Sequence, residues 1–284
     1  MDRVRIAIIG AGMIGRRHLR VLLEQPGYVA AAIADPSPQA KGLAEEHGIP
    51  WFDDYERMLD EVRPDGAIVA TPNQLHVAAG LACVARGVPV LVEKPIADSL
   101  PEALRLVAAG EAAGVPILVG HHRRHNPIMQ EAARVLRDGG VGRITAVVAM
   151  WLSHKPDDYF DVAWRREPGG GTVLINGIHE IDGLRMLCGE IESVQAEIAT
   201  GARGLPVEDT AAAVLRFANG ALGTLDLGVD LARESVLSAR VAERLSGHRH
   251  ARRARDPLAG GVVARVGAAL GRSADAKARS VHAG

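Results

Sequence analysis

The sequence predicts an α/β protein in which a doubly wound parallel sheet is followed by a second domain of mixed helices and strands. Near-continuous apolar strands alternate with amphipathic helices through the first 120 or so residues, which is typical of βαβ units. Beyond residue 140 the strands become longer and occur in succession. Asn219-Gly220 between two of them is a strong hairpin signal. The second domain is therefore expected to be of the α+β type with a largely antiparallel sheet. That sheet would be incomplete if residues 231–284 are not native sequence.

The elements of the first domain follow from apolar runs and helical spacing. Its predicted strands are residues 5–9, 28–34, 67–70, 88–92 and 117–119. Its predicted helices are residues 13–25, 38–47, 53–60, 74–86 and 99–113. In the second domain the predicted helices are 128–138 and 176–188, and the predicted strands are 144–152, 191–200, 210–217 and 221–227.

Composition limits the class of protein. The 284 residues are 48% hydrophobic and 24% charged with a formal net charge of −1, which gives no global sign of nucleic-acid binding. The two cysteines lie far apart, so a disulfide framework is not expected. The chain starts directly in a strand, unlike a signal peptide, and no apolar run reaches the length of a membrane span. These features favour a cytoplasmic protein.

The charge is distributed unevenly along the chain, and the change in composition sets the last expected boundary, after residue 230. Residues 231–284 contain 11 Lys and Arg against 4 Asp and Glu, and none of the nine aromatic residues. Of these 54 residues, 23 are Ala or Arg. We predict domains at 1–122 and 123–230, followed by a basic, poorly ordered segment at 231–284. A shifted reading frame in a GC-rich gene would explain that composition, and a genuine basic tail for an acidic partner is the alternative.

A glycine-rich turn joins the first strand to the first helix. Gly10, Gly12 and Gly15 provide a tight turn, close approach of backbone to a pyrophosphate, and close packing of the helix. The helix start at Met13 and Ile14 would present free N–H groups and a positive dipole end to phosphates. A purely structural turn is the alternative. In this βαβ context the motif predicts a dinucleotide-binding domain.

An acidic residue follows the second predicted strand. Asp35 lies 20 residues past Gly15, where a carboxylate can hydrogen-bond the ribose hydroxyls of a bound dinucleotide. The carboxylate would repel a 2′-phosphate, and no arginine adjoins it to bind one. The sequence therefore predicts NAD as the cofactor, with NADP less favoured.

Polar residues also follow two later strands. Glu93 and Lys94 come after one of them, and Thr71, Pro72 and Asn73 come after another. Ligands of such sheets bind at the carboxyl ends of the strands, so these residues are candidates for cofactor contacts. A surface lysine and ordinary turn chemistry are the competing interpretations.

Taken together, these motifs resemble the glucose–fructose oxidoreductase/inositol dehydrogenase (Gfo/Idh/MocA) family. The resemblance covers about residues 4–228. The motifs that carry it are Gly10-x-Gly12-x-x-Gly15-x-x-His18, Ala70-Thr71-Pro72-Asn73-x-x-His76, Glu93-Lys94-Pro95, and Gly169-Gly170-Gly171 followed by His179-Glu180-x-Asp182. It implies a Rossmann domain, a C-terminal domain with a large open sheet, and a homo-oligomer. It also implies oxidation of a secondary alcohol on a sugar, an inositol-like polyol or a dihydrodiol.

The resemblance assigns roles to individual residues. It implies that Lys94 is catalytic, relaying the proton of the substrate hydroxyl, and that His179 hydrogen-bonds the reacting oxygen. It also places His76 among the cofactor-binding residues. Inositol dehydrogenases of the family carry an acidic residue four positions before the histidine that corresponds to His179, where this sequence has Ile175. Isoleucine relays no proton. Either Lys94 and His179 suffice, with Asn176 as an orienting donor, or the substrate is handled differently, and both alternatives argue against an inositol substrate.

Further polar side chains are candidates for substrate contact. Arg123 belongs to a histidine- and arginine-rich segment at 121–127, where a solvated basic loop is the alternative. Three histidines there invite a zinc site, but no cysteine or carboxylate completes a ligand set, so no metal is expected. Trp164 and Arg165 precede the glycine run, and Arg165 could bind hydroxyls or a carboxylate.

Two other functions compete with the leading one. Some relatives hydrolyse glycosides through transient oxidation of the sugar by tightly held NAD. A catalytically silent NAD-binding or regulatory protein is the alternative of a different class, and Ile175 and the unusual C-terminal segment keep it open.

Overall fold

The computed structural model describes residues 3–229. The segment 231–284, to which the predictions about a shifted reading frame apply, lies outside the described residues. The chain divides into two compact units, the first ending at His121 and the second beginning at His122.

The first unit is built on a six-stranded sheet in which all paired strands are parallel. Its strands are β1 Val4–Ile9, β2 Tyr28–Ala34, β3 Trp51–Phe52, β4 Gly66–Val69, β5 Val90–Val92 and β6 Ile117–Val119. They lie in the order β3-β2-β1-β4-β5-β6. The strand order reverses between β1 and β4, which is where doubly wound sheets bind ligands.

Helices cover both faces of this sheet, which explains why its strands are apolar throughout. They are α1 Met13–Glu24, α2 Pro38–His47, α3 Tyr55–Val62, α4 His76–Ala85 and α5 Leu100–Ala113. Consecutive residues of β1 enter different cores, because side chains alternate across a strand. Ile8 packs with Leu19 and Ile33, whereas Ile9 belongs to the cluster that contains Val69 and Leu106.

The second unit combines two helices with a four-stranded sheet. Its elements are α6 Pro127–Arg137, β7 Ala146–Leu152, α7 Ile178–Cys188, β8 Ile191–Ala199, β9 Thr210–Phe217 and β10 Leu222–Gly228. The strand order is β7-β10-β9-β8. Strands β8, β9 and β10 are antiparallel neighbours, but β10 pairs with β7 in parallel. The sheet is therefore mixed, and the antiparallel succession expected from the sequence holds only for its last three strands.

One face of the second sheet packs on α7, and within residues 3–229 the other face is exposed. Leu184 of α7 joins Leu215, Phe217 and Leu225 of the sheet in one buried cluster. On the opposite face, Val148 and Met150 of β7 are more than half exposed. An open sheet was expected from the sequence, and the structure has one.

Three local features differ from the sequence expectation. Strand β3 has only two residues, too short to produce an apolar pattern of its own. The predicted helix at 74–86 begins instead as a 3₁₀ turn, Asn73–Leu75, and continues as α4. A π-helical turn, Val173–Gly177, precedes α7. Among residues 3–229, no helix is both long and apolar enough to cross a bilayer.

Candidate functional site

Two glycines of the first loop are required by the fold itself. Gly10 has a φ of +92°, and a Cβ there would lie 2.7 Å from the carbonyl carbon of Ala70. A Cβ on Gly15 would lie 1.9 Å from the carbonyl oxygen of Gly10. Because both contacts are with backbone, neither position tolerates a side chain, and the loop lies tightly against the ends of β1 and β4.

Gly12 differs from them, since a Cβ at Gly12 would meet no protein atom within 4 Å. It is the N-cap of α1, and no side chain caps the helix. The first hydrogen bond of the helix runs from the N–H of Arg16 to the carbonyl of Gly12. The N–H groups of Met13, Ile14 and Gly15 therefore have no acceptor within the helix. An open approach to uncapped N–H groups fits the pyrophosphate of a dinucleotide.

Asp35 is fixed at the carboxyl end of β2 by two backbone groups. One carboxylate oxygen accepts a hydrogen bond from the N–H of Ala11 at 2.7 Å, and the other accepts from Ser37 at 2.8 Å. The carboxylate therefore joins the glycine loop to the turn after β2. Each oxygen keeps a further lone pair, so a ribose hydroxyl can still donate to it.

The turn after β5 is held by Glu93. The imidazole Nε2 of His18 donates to one carboxylate oxygen of Glu93 at 2.8 Å, and the Lys94 N–H donates to the other at 3.1 Å. Burial alone would raise the pKa of Glu93, but hydrogen bonds from His18 and Lys94 and their charges lower it overall. The ionised carboxylate thus fixes the backbone that carries Lys94. The sequence analysis placed His18 in a motif without assigning it this role.

His76 occupies a different position from the one expected for a cofactor ligand. Its ring is almost fully buried, with Nδ1 2.7 Å from the carbonyl oxygen of Pro95 and Nε2 2.9 Å from that of Thr71. Both ring nitrogens therefore face protein backbone. His76 therefore links the turn after β4 to the turn after Lys94.

The turn after β4 contains the other predicted contacts. The carbonyl of Pro72 accepts from the N–H of Leu75, which forms the 3₁₀ turn. Asn73 is buried in that turn, and the hydroxyl oxygen of Thr71 is buried without a hydrogen-bond partner. A buried hydroxyl without a partner at a ligand-binding edge is consistent with a bond completed by a ligand.

In the second unit, the segment 122–125 docks on α7. Arg123 forms an ion pair with Glu180, and Arg124 donates to both carboxylate oxygens of Asp182 at 2.8 and 2.9 Å. The two interpretations of Arg123 from the sequence, a substrate contact or a solvated loop residue, did not include this ion pair with Glu180. The two adjacent arginines and the two acids on one helix were nevertheless visible in the sequence. The Glu180 and Asp182 motif positions thus serve to anchor this segment.

His179 of α7 lies against the same segment. Its ring packs edge-on against the ring of His122, with 5.0 Å between centroids. Among residues 3–229, no group of three or more His, Cys, Asp and Glu side chains is arranged to hold a metal ion.

The glycine run before α7 allows close approach of two chain segments. A Cβ on Gly170 would lie 2.4 Å from the Trp164 carbonyl oxygen, and one on Gly171 would lie 1.9 Å from the Glu208 carboxylate. Trp164 and the following arginine therefore pack directly against the run. The Arg165 guanidinium stacks on the ring of Tyr159.

The π-helical turn Val173–Gly177 contains Ile175, which stands where inositol dehydrogenases of the family have an acidic residue, and its neighbour Asn176. Ile175 is buried in the unit, so its side chain belongs to the packing. The carbonyl oxygen of the Asn176 side chain is buried without a hydrogen-bond partner and borders a small cavity together with Thr172. Asn176 lies three residues before His179. π-Helical turns of this kind are frequent at functional sites.

The glycine loop, Asp35 and the strand order define a dinucleotide-binding oxidoreductase fold joined to a second α/β unit. Residues 4–121 match the model of the oxidoreductase family with an NAD-binding Rossmann fold, and residues 129–242 match the GFO/IDH/MocA C-terminal domain. The chain belongs to the GFO/IDH/MocA oxidoreductase family. The family and the NAD-binding domain predicted from the sequence are thereby confirmed.

Curated relatives are 28–33% identical to this chain over the aligned residues. Inositol 2-dehydrogenase 2 of Saccharopolyspora erythraea is 33% identical over 80% of this chain and 67% of its own length. Inositol 2-dehydrogenase of Rubrobacter xylanophilus is 30% identical over 99% of this chain and 80% of its own length. The rhizopine catabolism protein MocA of Rhizobium meliloti is 28% identical over 80% and 72%.

Solved structures share the fold. The WlbA dehydrogenase from Bordetella pertussis, in complex with NADH and UDP-GlcNAcA, is 31% identical with a TM-score of 0.76, covering 80% of this chain and 71% of its own. GenD2 from gentamicin A biosynthesis, in complex with NAD, is 26% identical with a TM-score of 0.74, covering 81% and 67%.

Proposed function

We propose that this protein is an NAD-dependent dehydrogenase that oxidises a secondary alcohol of a sugar or polyol. When bound, NAD accepts the hydride that leaves the alcohol carbon. The uncapped start of α1 and the opening at Gly12 support binding of its pyrophosphate, and Asp35 supports recognition of its ribose. Relatives that act on inositol and on D-xylose support a polyhydroxylated substrate.

Lys94 is the residue on which this proposal depends. As hydride leaves the carbon, the hydroxyl must lose its proton, and an amine at the carboxyl end of β5 is a suitable acceptor. Lys94 is half-buried, and its backbone is fixed through Glu93. The resemblance assigns His179 to hydrogen-bonding of the reacting oxygen. We retain both roles as proposals, together with the other cofactor and substrate residues named above.

Two alternatives remain distinguishable by experiment. A relative that uses NAD transiently to cleave glycosides would release sugar from a glycoside without net formation of NADH, so product analysis separates it from a dehydrogenase. A silent NAD-binding protein would bind NADH and oxidise no alcohol. Ile175 is the observation that favours this second candidate, because it removes an acid–base group from the α7 region.

The direct test is Lys94→Ala, assayed on a polyol and sugar panel by NADH absorbance. We expect turnover to fall by about 10²-fold or more, as for loss of an acid–base group, with NADH affinity nearly unchanged. Lys41→Ala is the matched control, since Lys41 lies on α2 and stacks on Trp51. Near-normal kcat in Lys94→Ala would remove Lys94 from the mechanism.

A further inference from the structure

Two cations of the second unit converge on one aromatic ring. The guanidinium carbon of Arg165 lies 3.9 Å from the centroid of the Tyr159 ring, and the Lys155 ammonium lies 4.8 Å from the same centroid. Lys155 also lies 5.4 Å from the Trp151 ring, and Arg165 lies 5.4 Å from that of Trp164. Aromatic faces attract cations, so the three rings hold both charges in fixed positions.

Neither cation has an acidic partner among residues 3–229. The segment contains carboxylates, but Asp157, the acid whose position in the chain is closest to Lys155, forms its ion pair with Arg203. Arg165 donates from Nη1 to the Tyr159 carbonyl at 2.6 Å, and its Nε is buried without a hydrogen-bond partner. Burial and the charge of Arg165 lower the pKa of Lys155. Two half-buried like charges that face each other without a carboxylate are unfavourable unless an anion joins them.

The geometry of Arg165 indicates what kind of group is missing. Arginine binds carboxylate and phosphate through two parallel N–H groups, commonly the edge formed by Nε and one terminal nitrogen. Nη1 is engaged by the Tyr159 carbonyl, and the buried Nε remains for such a contact. An ordinary solvated arginine would have its Nε hydrated rather than buried.

The cluster lies beside the part of the unit assigned to the substrate. Tyr159 and Asn176 border the same small cavity, and Asn176 lies three residues before His179. Gly170 also packs directly on the Arg165 backbone. The two cations therefore belong to the surroundings of α7, where the resemblance places the reacting alcohol.

We infer that Arg165 and Lys155 form an anion subsite that selects a sugar-like substrate bearing a carboxylate or a phosphate group. This inference rests on the proposed function in taking the substrate to be a sugar-like alcohol. Arg165 supplies the directional contacts, and Lys155 supplies a second charge. Arg165 was a candidate for carboxylate binding from the sequence alone, whereas the role of Lys155 emerges only from the structure.

The test measures binding of three matched sugars to the NADH-loaded protein by calorimetry. D-glucuronate carries a carboxylate, D-glucose 6-phosphate carries a phosphate, and D-glucose carries neither at the same carbon. We expect at least one of the two anionic sugars to bind about tenfold or more tighter than glucose. The arm that binds identifies carboxylate or phosphate as the anion. Equal binding of all three sugars, or binding of none, would overturn the inference.

Variants attribute this selectivity to the two cations. Arg165→Met and Lys155→Met should each lower the affinity for the anionic sugar far more than the affinity for glucose, and Arg165→Lys should restore part of the selectivity. Arg166→Met is the control, because Arg166 is the adjacent exposed arginine. If the Arg165 and Lys155 variants keep full selectivity, the subsite is elsewhere. Anion selectivity without any alcohol oxidation would refute the proposed function and retain the subsite.

Discussion

At the scale of single residues, we predict that Asp35 decides between the two nicotinamide cofactors. A carboxylate and a 2′-phosphate about 4 Å apart near a protein surface repel by roughly 4 kcal/mol. We therefore expect calorimetric titration to show tighter binding of NAD than of NADP. Asp35→Asn keeps an acceptor for the Ala11 N–H but removes the charge, so it should reduce the difference in affinity between NAD and NADP. Tighter binding of NADP by the unaltered protein would contradict this assignment.

His76 gives a second prediction at this scale, which concerns pH. Burial lowers the pKa of His76 below its ordinary value of 6.5, even though the carbonyls of Pro95 and Thr71 act in the opposite direction. The folded protein then binds a proton at His76 less readily than the unfolded chain does. His76 should therefore make stability decrease as the pH falls from about 6.5 toward the lower, folded value.

Thermal unfolding between pH 7.5 and about 5 tests this, with His76→Gln as the comparison. Glutamine can donate to one of the two carbonyls and does not titrate. The variant should be less stable at pH 7.5 by about 1–3 kcal/mol, because the glutamine side chain fills the buried site less well than the imidazole ring does. Its stability should also fall less steeply with acid. A parallel fall in both proteins would show that other groups dominate.

At the scale of elements, the α1 glycine loop separates what the fold needs from what the cofactor needs. Gly12→Ala introduces a Cβ into open space at a φ of −66°, which alanine tolerates. We expect its Tm to be unchanged and its NADH Kd to rise about tenfold or more, because the methyl group occupies the approach of the pyrophosphate. Unchanged NADH affinity would mean that the pyrophosphate does not approach Gly12.

Two comparison variants make this result interpretable. Gly15→Ala would bring a methyl group onto the Gly10 carbonyl, so we expect it to lower Tm as well as NADH binding. Gly42→Ala lies in α2 with open space around it and should leave NADH binding unaffected. The contrast between Gly12 and Gly15 is the informative measurement.

The first unit could be predicted closely from the sequence, because parallel strands buried on both faces produce continuous apolar runs. Strand Tyr28–Ala34 and helix Pro38–His47 match the expected bounds, while β3 was missed because two residues form no pattern. The parallel pairing of β7 with β10 was also missed, because strands distant in sequence leave no local signal of their pairing.

The site was predictable where a motif is local and not where it depends on tertiary contacts. The glycine loop and Lys94 were visible in short motifs. The His18–Glu93 bond joins residues 75 positions apart, and the Arg124–Asp182 pair joins residues 58 apart. The Tyr159 ring with its two cations likewise depends on the folding of a loop. Single-sequence patterns contain no information about such pairings.

At the scale of the whole molecule, the family match and the composition both change along the chain. The MocA protein and WlbA each align with 80% of this chain, whereas the Rubrobacter xylanophilus enzyme aligns with 99%. The C-terminal domain model extends to residue 242. Two of the three therefore leave about a fifth of this chain unmatched, whereas the Rubrobacter xylanophilus enzyme and the C-terminal domain model both continue past the break in composition near residue 231.

Within residues 3–229, β7 and β8 are the outer strands of the second sheet, each hydrogen-bonded to one neighbour. Open edges of this kind tend to pair with further strands. Residues 231–284, with no aromatic side chain and 23 Ala or Arg, offer little of the β-branched and aromatic sequence that strands favour. A shifted reading frame would account for both observations.

The coding DNA tests this directly. Read one nucleotide out of phase from near codon 230, in one of the two alternative frames, it should yield strand-like sequence with aromatic residues, capable of extending the sheet beyond β7 or β8. If neither frame yields such sequence, the segment is a native basic tail, and an acidic partner becomes the better explanation.

Limited proteolysis of the expressed chain is the independent measurement. It should trim the segment after residue 230 while sparing residues 1–120, because a chain with little apolar surface to bury cannot offset its conformational entropy by packing. A protease-resistant segment would show that it packs as native sequence does.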